Sequence, residues 1–154
     1  MKRVSTLMLS CLLLISMQVF AVADTKSRIP PREVYQAMLN GNKEPGWIQF
    51  RNYSGKQLVY FTALQTLHCR LKEIRYSINS KALDKRFELV ECNPQNPLAL
   101  PSNAGLNEVA ISLAPGTVKT IAVQVVWEDD MESEIAVYEP CKDVGEQTCA
   151  WLLE

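Results

Sequence analysis

Hydrophobic positions in this chain follow the two-residue spacing of strands over most of its length. Ile48 and Phe50 share one face of residues 47–53, ahead of a turn at Asn52-Tyr53-Ser54-Gly55-Lys56. Residues 58–64 are apolar on both faces, the pattern of a strand covered from both sides. Leu71, Ile74, Tyr76 and Ile78 line a third strand. The break in phase between Leu71 and Ile74 predicts a bulge at Lys72-Glu73. Without it, placing Cys69 opposite Cys92 sets Glu73 against Glu88 and Arg75 against Arg86, like-charge pairs that weaken a sheet. Residues 87–92, 109–113, 120–127 and 131–138 complete the set. Ile121, Val123, Val125 and Trp127 lie on one face of the sixth strand, and Ile135 and Val137 are expected inward on the seventh. Pro94, Pro97 and Pro101 withhold the donors a ladder needs, so residues 93–106 form a long connection.

Ahead of the strands the spacing changes. Val34, Tyr35, Met38 and Leu39 recur at helical intervals, with Pro31 and Glu33 suited to a helix start and Asn40-Gly41 to its end. Such a short helix must pack on the domain to persist. About seven short strands with turns between them predict a mainly β fold, an antiparallel sandwich of two sheets.

The first residues read as an export signal. Lys2 and Arg3 precede a mostly apolar stretch, residues 7–20, and Ala21-Val22-Ala23 offers a small-x-small cleavage site. That stretch falls short of the ~20 residues that span a bilayer. The expected organisation is a signal peptide at 1–23, a leader with a short helix and linker at 24–46, a β-sandwich at 47–140 and a disulfide-closed tail at 141–154. No transmembrane segment is expected after cleavage, and the location is periplasmic or secreted.

Loss of the signal leaves 131 residues, enough for one core, with 14 basic and 17 acidic side chains. Net acidity argues against nucleic acid. The charge is unevenly spread: residues 24–91 carry 12 basic and 7 acidic groups, residues 92–154 carry 2 and 10. Internal pairing of the halves is the plain reading, and a basic and an acidic face for a charged partner the sharper one.

Cys69, Cys92, Cys141 and Cys149 remain after removal of Cys11. An even number in an exported domain implies disulfides. Cys69 and Cys92 lie at the start and end of consecutive strands, and Cys141 and Cys149 bracket a turn-rich loop, so the expected pairs are Cys69–Cys92 and Cys141–Cys149. The Cys-x-x-Cys spacing of zinc sites and thiol oxidoreductases is missing.

Residues 73–79 (Glu73-Ile74-Arg75-Tyr76-Ser77-Ile78-Asn79), 111–117, 121–123 and 132–135 follow an order that resembles the immunoglobulin-like module at the C-terminus of chitobiases and related bacterial surface proteins. The likeness covers about residues 73–137. It implies an immunoglobulin-like sandwich with an accessory role and carries over no catalytic residue.

Little else in the chain suggests chemistry. Nucleophile-elbow, zinc-protease and phosphate-loop motifs are missing, so no cofactor is expected. His68 is the single histidine, and a small envelope hydrolase would have to use it or an acid such as Glu128. Glu128, Asp129, Asp130, Glu132 and Glu134 crowd one turn, where Asp129, Asp130 and Glu132 could offer oxygens to calcium, although a solvated turn is the plainer reading. Trp47, Tyr53, Tyr138 and Trp151 are the aromatic residues expected to bind a sugar or a protein. The apolar end around Trp151 either docks on the domain or anchors a partner. The expected role is a non-enzymatic binding or assembly module of the bacterial envelope, with an envelope protein or polysaccharide as partner. An inhibitor or chaperone-like regulator of an exported enzyme is the alternative.

Overall fold

The computed structural model describes residues 28–153, so the expected signal peptide lies outside the described residues. Helix α1 (Arg32–Gly41) leads into β1 (Gln49–Tyr53) and β2 (Lys56–Tyr60). A short helix α2 (Thr62–Gln65) and a single 3-10 turn (His68–Arg70) precede β3 (Leu71–Ile78) and β4 (Lys85–Phe87). After the proline-rich connection come β5 (Ala110–Leu113), β6 (Ile121–Trp127), β7 (Ala136–Glu139) and β8 (Trp151–Leu152). The strands form two antiparallel sheets, ordered β1-β2-β5 and β4-β3-β6-β7-β8.

Alternation places Phe50 and Val59 of the first sheet against Ile74, Tyr76, Ile121, Val123, Val125 and Trp127 of the second. Phe61 stacks on Phe87 at 4.1 Å and meets Tyr76 edge-on at 5.1 Å, joining the sheets through rings. The segments expected as leader and tail share this core. Tyr35 and Leu39 of α1 are buried, worth about 1.5–3 kcal/mol each, and the Trp47 Nε1–H donates to the Leu39 carbonyl at 2.8 Å. That packing supplies the stability a ten-residue helix lacks alone.

Both sides of the sandwich are closed by unusual means. On one, Cys149 exchanges two backbone bonds with Phe50 of β1, while Trp151 and Leu152 pair with Glu139 and Tyr138 of β7. The C-terminal segment therefore stitches the two sheets together. On the other, buried Gln65 spans the seam. Its Nε2 donates to the carbonyls of Glu88 (2.7 Å) and Glu108 (2.8 Å), and its Oε1 accepts from Val90 N–H at 3.3 Å.

Several expectations shift. The run at 58–64 leaves the strand after Tyr60, because Phe61, Leu64 and Leu67 recur at helical spacing and all three reach the core. The fourth strand occupies Lys85–Phe87, not 87–92. A bulge interrupts β3 between Leu71 and Glu73, in its pairing with β6. Arg75 nevertheless stands opposite Arg86. Glu73 resolves the conflict by accepting from Arg75 at 2.7 Å and pairing with Arg86 at 3.1 Å. On the seventh strand Ala136 and Tyr138, not Ile135 and Val137, face the core. That one-residue difference in phase turns every side chain over.

Candidate functional site

The two disulfides, Cys69–Cys92 and Cys141–Cys149, are both formed. The first does not tie strand ends. Cys69 sits in the 3-10 turn and Cys92 lies beyond β4, on the continuation of its register with β3. The second closes the loop ahead of Cys149 and so fixes the C-terminal stitch.

On that stitch Leu152 packs against the core. Its neighbours Trp151 and Leu153 therefore point outward, each 48% exposed. Leu153 N–H donates to the Val137 carbonyl at 2.8 Å. Val137 stands opposite Ala122, which stands opposite Ser77. That row is itself buried at Ser77, Ala122 and Val137, and Leu153, with Trp151 beside Glu139, forms its exposed end at the sheet edge. The Trp151 backbone is held by β7, and by the Cys149 pairing and disulfide two residues before it.

The four aromatic candidates separate. Trp47 and Tyr138 are buried, their polar tips bound to the carbonyls of Leu39 and Lys43 (2.8 Å each), and so are no part of a binding surface. Tyr53 is exposed beneath the Arg51 guanidinium at 4.4 Å. Forward from the antiparallel Phe50–Cys149 pair the two chains diverge, so Tyr53 and Trp151 lie toward opposite ends. Leu153 was missed. Its signal was the Trp-Leu-Leu run, in which one inward leucine forces two outward neighbours.

The acidic turn is bound from within. Glu128 pairs with Arg70 (2.6 Å), Asp129 with Arg32, Asp130 with Lys72, Glu132 with Arg75 (2.5 Å) and Glu134 with Lys43 (2.9 Å). The basic first half and acidic second half neutralise each other here. Each exposed pair is worth only about 0–1 kcal/mol, but together they fix the β6–β7 turn to α1, the linker and β3. Asp129, Asp130 and Glu132 each engage a different cation, an arrangement unlike a calcium cradle, in which the oxygens converge.

A convergent group lies elsewhere. Ligand atoms of His68, Cys69 and Cys92 fall within 4.8 Å of one another. His68 is buried, with Nδ1 2.6 Å from the Gln65 carbonyl and Nε2 unpartnered. An unpaired buried acceptor costs about 1–3 kcal/mol.

The proline-rich connection borders two open grooves. One, of about 530 Å³, is lined by Glu91, Cys92, Asn93 and Ser102 among others, and the other, of about 390 Å³, by Glu88, Val90, Asn107 and Glu108 among others. Among the described residues no helix is long and apolar enough to cross a membrane. Comparison with protein-family models, with curated proteins and with solved structures gave no match, so what this chain does has to be argued from its own geometry.

Proposed function

We propose that this protein is an exported, non-enzymatic binding or assembly module of the bacterial cell envelope, which recognises a protein or polysaccharide through the β8 edge of its five-stranded sheet. One observation carries the reading: Trp151 is half-exposed on a strand paired with β7, two residues after Cys149, which is itself paired with β1 and closed in a disulfide. An aromatic anchor ordered before binding contributes its contact area at little further entropic cost.

Other observations support it. Two disulfides suit an oxidising compartment and agree with the signal-like N-terminus. His68 is buried, and Glu128, although half-exposed, is engaged by Arg70. With β1, β2, β3, β5, β6 and β7 taken as strands A, B, C, E, F and G, the pairings A–B, B–E, C–F and F–G match an immunoglobulin-like sandwich, with β4 beside C. The likeness of residues 73–137 to the chitobiase module points the same way.

The test is affinity capture from envelope extracts with the wild-type protein and with Trp151→Ala, which removes a half-exposed ring and leaves the fold intact. Specific recovery of one protein or one glycan that Trp151→Ala abolishes is the expected result. Recovery that the substitution leaves unchanged refutes this edge, and four free thiols in protein taken from its native compartment refute export.

A further inference from the structure

We propose that His68, Cys69 and Cys92 form a three-ligand site for a thiophilic divalent cation, Zn(II), when the Cys69–Cys92 bond is reduced. The groups are already gathered: a ring nitrogen of His68 lies within 4.8 Å of both sulfurs of the Cys69–Cys92 bond in the oxidised chain. The hydrogen bond also selects the tautomer. A carbonyl can only accept, so the 2.6 Å contact with Gln65 O makes Nδ1 the donor, and in the neutral ring the lone pair then lies on Nε2. That nitrogen has no partner, although the residue is only 4% exposed. A ring fixed by an N–H bond to a backbone carbonyl, with its other nitrogen free, is the usual arrangement of a metal-binding histidine.

Gln65 holds both halves of the site after the bond opens. Its carbonyl orients His68, and its side-chain amide bonds Glu88 and Val90, the latter two residues before Cys92. Leu67 and Leu71, on either side of the 3-10 turn that carries Cys69, are buried. Access is provided as well, since Cys92 lines the 530 Å³ groove and both cysteines are partly exposed.

The chemistry balances with a small dithiol as reductant. The dithiol gives two electrons and becomes a disulfide, the Cys69–Cys92 bond breaks, and each sulfur takes a proton. Zn(II) then displaces those two protons to solvent, while His68 binds as the neutral ring. Two thiolates and one imidazole around Zn(II) give a site of zero net charge, with the fourth tetrahedral position open.

The test compares the untagged protein with its His68→Gln variant, both carrying Cys141→Ser and Cys149→Ser so that the tail contributes no thiol. After dithiol reduction we expect one Zn(II) per chain, measured by competition with a chromophoric chelator, and none in the oxidised protein. His68→Gln should weaken binding about a hundredfold or more, since loss of even an outer-shell partner of a ligand costs about 10–100-fold. Co(II) in place of Zn(II) should give a thiolate charge-transfer band, and the near-ultraviolet dichroism of the buried tryptophans should persist. Equal affinity of the two proteins, binding without reduction, or loss of that dichroism on reduction overturns the proposal. If His68→Gln does not fold, the ¹⁵N shift of Nε2 in the chain's single histidine decides: no change on adding Zn(II) is fatal.

Discussion

Gln65→Met keeps the length and approximate volume of the side chain while deleting its amide, so it tests the seam between β4 and β5 directly. Three hydrogen bonds are lost, from Nε2 to Glu88 O and Glu108 O and from Val90 N–H to Oε1. Each is worth about 0.5–1.5 kcal/mol net. The three backbone groups border the 390 Å³ groove, so water can reach them and the full cost of burying an orphan does not apply. The thioether recovers part of the loss by packing in the buried space the amide leaves. The balance is a destabilisation of about 1–4 kcal/mol, which for a domain of this size lowers Tm by about 3–15 °C. Urea denaturation should give an earlier midpoint with an unchanged slope, because the same surface is exposed on unfolding. Hydrogen exchange should quicken first at Val90. A loss below about 1 kcal/mol, or no change in Val90 protection, would show that the seam is held by something other than this amide.

Two further outcomes follow from the same geometry. Burial pushes the Tyr138 hydroxyl up to about 12, with a hydrogen bond donated by the Trp47 backbone N–H opposing and Glu44 and Glu134 adding. The fold favours the protonated phenol, so this stability is complete below about pH 10 and falls by about 2–3 kcal/mol as pH rises to about 12. Tyr138→Phe should flatten that alkaline loss, at the cost of about 1 kcal/mol at neutral pH from the bond to Lys43 O; an unchanged alkaline profile in urea titrations refutes it. Glu73→Gln removes the charge between Arg75 and Arg86. The Arg75 hydrogen bond holds the Glu73 carboxyl below its usual range, so its contribution is present at neutral pH and lost as pH falls below that range and through the lowered value. At neutral pH the variant should unfold at lower urea in low salt, the difference narrowing in high salt; a midpoint that does not move in low salt rules out the screening role.

Much of the fold was readable because strand periodicity records which face is buried. Ile121, Val123, Val125 and Trp127 entered the core as their alternation required. Periodicity failed where one apolar run satisfied two patterns. Phe61, Leu64 and Leu67 suit a strand locally, yet the helical turn places all three inside. It failed again at β7, where Ile135 and Val137 look as buriable as Ala136 and Tyr138. Only contact with Lys43 and the core selects the second phase, and with it the interior position of Tyr138. Charge reasoning fell short in a similar way. An arginine opposite an arginine is unfavourable as a pair and acceptable once Glu73, two residues along β3, pairs with both.

Local rules therefore determined the mainly β class, the helix at α1 and, through chain order and loop closure, both disulfide pairs. These depend on backbone preferences and on separations along the chain, which a sequence contains. The stitch by Cys149 to β1, the Gln65 seam, the neutralised acidic turn and the unpartnered nitrogen of His68 were decided only in three dimensions. Each depends on groups tens of residues apart meeting at bonding distance, and a hydrogen bond or ion pair leaves no periodic trace in the residues that make it.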